Sequence, residues 1–555
     1  MIKHLFHLLT WLLPAALLAG VVGLPFVSTT APLSTQTPAF GLGDSPHLSE
    51  GAASSAPLAQ TITSLGAGWV REELPWNLVE PQPGAYRWAF QANGGEIDFD
   101  RALAAYNQQG VSVLLVLSGG PVYLQTNSGQ AVAADAMLAQ WKAFVQAAVD
   151  RYGSMVDAWQ IGDSPNSATG WGRVIYPADP QATAAPDAAL YGKMLKEAAR
   201  IIHRTDPESL VLTGALASPY DKNCAVHPYS FLLDLHGARV WDWFDGIALR
   251  PNRGNHLPEE ILSQAANPQC QPVVAPQADL AGETAAIQQL AKQLKSKPVW
   301  ITDLQVTLSQ ANAMSDGRAI TDGQMQADVL VRASIPLMSQ PGVQAVFWKD
   351  FPFADGEGGA LQPSSLRAFS NLAHLLSTAR FMESQPAQSD SAIRQYRFRN
   401  GLKWVIVVWS AVGGDEPRPA VLENVMTGTL SAYTADSEAL FSTGGVPVEV
   451  DAGGRAILLV TERPVILVGK TRDVTRIIQY GAEDLAASLK EETQKFVHSQ
   501  AKNAKAELMN WLESLLDSLK ARFLNWGEEQ LDQVLGMSSW LESIKIDKPF
   551  LLKPV

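Results

Sequence analysis

The residues with chemistry to offer stand at the ends of short apolar runs. Asp163 and Ser164 follow VDAWQIG, and Asp303 lies within PVWITDLQV. Arg71, Glu72 and Glu73 belong to GWVREEL, and Arg250 to FDGIALRP. Carboxylates gathered at such ends suit acid/base or nucleophilic work, in which one group moves a proton and another attacks or stabilises developing positive charge. No metal is expected, because the histidines are scattered and the two cysteines, Cys224 and Cys270, are distant in sequence. No cofactor is expected either, since no strand-like run leads into G-x-G-x-x-G or a P-loop. Cys224 and Cys270 either form a single bridge in an oxidising compartment or stay as two buried thiols.

Positioning such residues requires strands, and eight runs qualify. They are FGLG (40–43), GWVREEL (68–74), VSVLLVLSG (111–119), VDAWQIG (156–162), SLVLTGALA (209–217), FDGIALRP (244–251), PVWITDLQV (298–306) and VQAVFWKDF (343–351). Helix-period stretches such as AMLAQWKAFVQAAVDRYG and AALYGKMLKEAARIIHRTDP separate them, the second closed by Asp-Pro. Near-continuous apolar strands alternating with amphipathic helices predict an α/β fold, a closed (β/α)8 TIM barrel over 40–385, whose chemistry sits at the carboxyl ends of the strands. From 390 to 470 strand-like runs separated by Gly, Asn and Asp predict a small antiparallel β-domain, a β-sandwich.

Beyond residue 473, Leu508, Leu512, Leu515, Leu519, Phe523 and Trp526 recur at steps of three or four. They predict amphipathic helices in a C-terminal region, 473–555, that packs on the rest of the chain, docks a protein partner or lies on a membrane. At the other end, the apolar run Leu5–Val27 within residues 1–27 reads as a signal peptide or an uncleaved membrane anchor, and the Ser/Thr/Pro-rich residues 28–39 as a linker. The expected location is therefore extracellular, or anchored on the outer face of a membrane. The 555 residues are 46% hydrophobic and 17% charged, with a formal net charge of −13, which disfavours a nucleic-acid partner and suits a neutral ligand such as a sugar.

The segment YGSMVDAWQIGDSPN resembles the Tyr-Gly…Trp-x-Ile-x-Asn-Glu-Pro-Asn segment of clan A glycoside hydrolases, in particular their β-xylosidase and cellulase-like families. GWVREELPWNLVEPQPGAYRW is similar to their second-strand region, ARIIHRTDPESLVLTGALA to the helix and strand after the acid/base, and KPVWITDLQV to the seventh strand. The resemblance covers Phe40 to Gly469 and implies a retaining mechanism, with two carboxyl groups about 5–5.5 Å apart. Aligned on Pro165 and Asn166, the chain carries Ser164 at the acid/base glutamate and Asp163 at the preceding asparagine. Asp303 takes the place of the nucleophilic glutamate, and Arg250 stands where the family often has a histidine.

A serine cannot protonate a leaving group near neutral pH, and loss of general-acid catalysis costs about 10²–10⁴-fold. The resemblance also marks Arg71, Trp76, Trp159, Asn166, Arg250 and Trp348 as candidate saccharide contacts, the tryptophans as a stacking platform; their alternative is barrel core. Asp303 can equally serve as a structural partner of Arg71 or Arg250, and His203 as a structural residue of its helix. Three functional readings follow. The first is an impaired glycosidase-like protein retained for saccharide or partner binding. The second is an active, divergent hydrolase that uses Asp303, with Asp163 or a substrate group as the acid. The third is a scaffold whose C-terminal helices form the interface.

Overall fold

The computed structural model describes residues 39–471 apart from 44–54, 93–94, 121–133, 168–185, 220–224, 254–255, 263–277, 306–322, 350–362, 388–389, 413–416, 426–427 and 439–443. The apolar run at the N-terminus, both cysteines and the region 473–555 lie outside these residues. Among the described residues no helix is long and apolar enough to cross a membrane.

Eight parallel strands close into a barrel. They are β1 (Ala39–Leu42), β2 (Trp69–Pro75), β5 (Ser112–Ser118), β6 (Ala158–Asp163), β7 (Leu210–Ala217), β8 (Ile247–Arg250), β9 (Val299–Leu304) and β10 (Val343–Trp348). The seam joins the first strand to the last, Ala39 opposite Ala345 and Leu42 opposite Trp348. All eight expected strands are present. A hairpin of β3 (Ala89–Ala92) and β4 (Gly95–Asp98) follows β2 and has no counterpart in the sequence reading.

Helices α1 (Ser55–Ser64), α2 (Phe99–Gln108), α3 (Ala134–Tyr152), α4 (Ala188–Thr205), α5 (Pro228–Gly237), α6 (Leu280–Lys295), α7 (Gly323–Met338) and α8 (Pro363–Leu376) alternate with the strands. Their starts are written locally. Asp98, Asp187 and Asp279 each precede a helix and accept hydrogen bonds from its first free N–H groups, at Arg101, at Ala189 and Leu190, and at Gly282.

Strand alternation divides the apolar residues between two layers. One set, including Trp159, Ile161, Val346 and Trp348, joins the large core shared with the helices. The other fills the barrel with Leu114, Ala158, Leu212, Ala248, Trp300 and Phe347. Trp69 meets Trp300 edge-on at 5.2 Å between ring centroids, and Trp300 stacks on Phe347 at 6.3 Å. A Cβ at position 41 would come within 2.3 Å of the Phe347 ring, so only glycine fits beside it. This aromatic plug is the floor on which the charged residues of the strand ends rest.

After α8 the chain forms a six-stranded antiparallel sheet in the order β11-β12-β13-β18-β15-β16: β11 (Arg380–Ala387), β12 (Asp390–Asn400), β13 (Lys403–Ser410), β15 (Thr429–Thr434), β16 (Val446–Glu449) and β18 (Val465–Lys470). A two-stranded sheet, β14 (Arg418–Leu422) with β17 (Ala456–Val460), shares a core with it through Ile406, Val408, Ala420, Leu422, Ala456 and Leu467. The first of these strands starts at Arg380, inside the stretch expected to belong to the barrel, because its pairing with β12 outweighs its weak alternation.

Candidate active site

Strand β2 supplies Arg71, the third of its seven residues, whose side chain is 2% exposed. Its Nη1 donates to the Gly43 carbonyl at 3.2 Å and to Glu73 Oε1 at 3.0 Å, while Nη2 donates to Asp163 Oδ1 at 3.1 Å. Glu72 turns the other way, as strand alternation requires, and accepts from the Tyr106 hydroxyl of α2 at 2.6 Å. Of the two glutamates, Glu73 therefore shares the mouth with Arg71, and Glu72 belongs to the layer under the helices.

At the end of β6 the backbone turns sharply. Gly162 has φ +80° and Ser164 has φ +49°, a region in which a side chain is uncommon. The Ser164 N–H is held by the Ala215 carbonyl at 2.9 Å, and its hydroxyl lies 3.2 Å from Asp163 Oδ2. Asn166 fixes the exit further. Its Nδ2 donates to the carbonyls of Ala217 and Val226, and its Oδ1 accepts from the Ala217 N–H at 2.9 Å. Strand β7 passes so close that a Cβ at Gly214 would sit 2.8 Å from the Ile161 carbonyl and from Pro165 Cδ.

Asp303 comes from a bulge. Ile301 faces Val346 and Leu304 faces Trp348, so β9 spends one residue more than β10 across Thr302 and Asp303. Such an insertion re-aims side chains at a strand end. Asp303 is 1% exposed, with Lys349 Nζ at 3.3 Å and Arg250 Nε at 3.4 Å from its Oδ2. Burial pushes its carboxyl upward, but Lys349, Arg250 and Arg71 together outweigh that and hold it below the ordinary aspartate range. Burial likewise disfavours the charge of Arg71, yet Glu73, Asp163 and Asp303 raise it above the usual arginine value. Both groups are thus kept ionised.

Arg250, at the end of β8, joins the two halves. Its Nη1 meets Asp163 Oδ2 at 3.0 Å while its Nε faces Asp303 Oδ2. One guanidinium therefore spans both aspartates. Asp163 accepts from Arg71, Arg250 and Ser164, so three donors converge on its carboxyl oxygens.

The structure brings Arg71, Asp163, Ser164, Arg250 and Asp303 together, and it adds Lys349, which was not among the expected site residues. The available signal was a lysine directly after Trp348 at the end of the last barrel strand. The tryptophans expected as a stacking platform are core instead. Trp76 lies stacked against Phe144 at 5.2 Å and donates to Glu80, Trp159 is fully buried, and Trp348 is 2% exposed. Asn166, expected as a saccharide contact, is also fully buried and engaged with backbone. His203 pairs with Asp245 at 3.1 Å, away from these residues.

No protein-family model and no curated protein sequence matches the chain. Among solved structures, a family 39 glycoside hydrolase from the gut symbiont Bacteroides cellulosilyticus is similar over 79% of this chain and 82% of its own, at 18% identity and a TM-score of 0.58. A monomeric beta-xylosidase from Caulobacter crescentus is similar over 79% of this chain and 97% of its own, at 14% identity and a TM-score of 0.49. What the first of these shares with this chain is the (β/α)8 barrel fold. Identities this low carry the fold and no activity.

Proposed function

We propose that this chain is a glycoside-hydrolase-like barrel that holds a saccharide at its mouth without hydrolysing it, displayed outside the cytoplasm by its N-terminal apolar segment. The observation that carries the reading is Arg250, whose single guanidinium contacts both Asp163 and Asp303. A retaining hydrolase needs one carboxyl free to donate a proton and another free to attack. Here both carboxylates are engaged with cations, and Ser164 stands at the acid/base position of the resemblance. Glu73, Arg250, Lys349 and Asp163 retain side-chain exposures of 32%, 24%, 23% and 20%, so donors and acceptors for sugar hydroxyls remain at the surface of the network.

The test is an assay of the whole protein on polysaccharides, aryl glycosides and dinitrophenyl glycosides, the last needing no acid for departure. No turnover is expected on any of them, with saccharide binding that weakens in Arg250→Ala. Robust turnover that disappears in Asp303→Ala would overturn the reading in favour of an active, divergent hydrolase. Absence of both turnover and binding would favour the scaffold reading, towards which the burial of Trp76, Trp159 and Trp348 already points.

A further inference from the structure

The two-stranded sheet β14–β17 has one face in the core and one that nothing described covers. Ala420, Leu422, Ala456 and Val460 point inward and are at most 2% exposed. The opposite positions form two cross-strand pairs, Pro419 with Leu459 and Val421 with Ile457. An antiparallel ladder with one solvated face normally alternates apolar with polar residues. Every outward residue of these two pairs is apolar, and Leu459 and Ile457 are 67% and 56% exposed.

We infer that this face is the dock for the chain's own C-terminal segment, through the stripe Leu508, Leu512, Leu515, Leu519 and Phe523. The described chain ends at Thr471, directly after β18 of the same pair of sheets, and residues 472–555 follow it. Residues 472–507 lie between that end and the stripe. At up to about 3.3–3.6 Å per residue, a connection of this length does not prevent the stripe from returning over the sheet. The stripe is a row of leucines capable of covering Leu459 and Ile457, and a tethered segment meets its dock at a high effective concentration, favouring it over a free partner.

Hydrogen exchange on the full-length protein tests the inference. Amides of 508–526 are expected to be protected, and the double variant Ile457→Asp with Leu459→Asp to exchange there about tenfold faster or more, with β13 unchanged as a control for folding. Equal exchange of 508–526 in both proteins would overturn the inference. So would protection that falls on dilution, which assigns the cover to a second copy. Cross-linking of Leu459→Cys with Leu515→Cys in mixed light and heavy isotope-labelled protein gives an independent reading: a link within one chain is expected, and links solely between light and heavy chains would overturn the assignment.

Discussion

Two buried charge networks in this molecule treat an aspartate in opposite ways. At the barrel mouth, Asp303 faces Lys349 and Arg250, feels Arg71, and is held below the usual carboxylate range. Where the barrel meets the sheets, Asp328 of α7 has Arg463 at 2.9 Å, yet burial outweighs that cation and Asp436 adds to the upward push, so its carboxyl rises to about 6. One turn away, Arg332 is bidentate to Glu259 at 2.8 and 2.9 Å, and Glu259 also accepts from Trp409 Nε1 of β13 at 2.8 Å. The junction gathers more acids than cations, with Asp328, Glu259, Asp436 and Glu462 around Arg332 and Arg463. The mouth balances three cations, Arg71, Arg250 and Lys349, against Asp163, Asp303 and Glu73. An excess of acids beside a buried carboxyl favours its neutral form, whereas the cations facing Asp303 keep it ionised.

The largest test of that contrast is Asp303→Ala. Removing the anion takes from Lys349 the carboxylate it faces and from Arg250 one of its two, while Arg71 keeps Glu73 and Asp163, and a loss of about 3 kcal/mol in denaturant unfolding is expected at neutral pH. A loss below about 1 kcal/mol would show that the mouth is wet and that its charges are screened.

The pH dependence sharpens the contrast, because the two aspartates shift in opposite senses. Asp328, raised to about 6, contributes stability that is complete below its unfolded value and is lost as pH rises through its folded value, a window of pH 4 to 6 worth on the order of 2–3 kcal/mol. Asp303, depressed, contributes stability above its unfolded value that is lost as pH falls through the folded one. Asp328→Asn should therefore flatten the decline between pH 4 and 6 in urea midpoints and leave the acid limb below pH 4 in place. A variant whose decline persists unchanged would remove Asp328 from the account.

The smallest effect concerns backbone strain at the mouth. Ser164→Gly relieves the positive φ and gives up the hydroxyl bond to Asp163, two opposing contributions of about 1 kcal/mol each, so the melting midpoint should hardly move. A large loss would mean that the hydroxyl holds the network together.

The eight strands were legible because each is a short apolar run bounded by turn residues. Asp163 and Arg250 are the last residues of their strands, where the sequence pattern places them. What strand ends do not tell is which parity faces inward. Trp159 and Trp348 sit at the right height but share the phase of Ile161 and Val346, which point to the helices. Asp303 reaches the mouth only through the bulge in β9, a feature of pairing with β10 that no local pattern announces. Lys349 gains its meaning from Asp303, and Asp328 from Arg463, across separations that tertiary packing alone closes.

The seam between β1 and β10 has a consequence for how the molecule comes into being. During synthesis β1 emerges first, and it must wait for almost the whole barrel to be made before its second neighbour exists. Until then the growing sheet carries bare edges whose N–H and C=O groups can pair with any other strand nearby. The chain is therefore expected to fold slowly, to be most prone to aggregation just before closure, and to depend on chaperone cover during that interval.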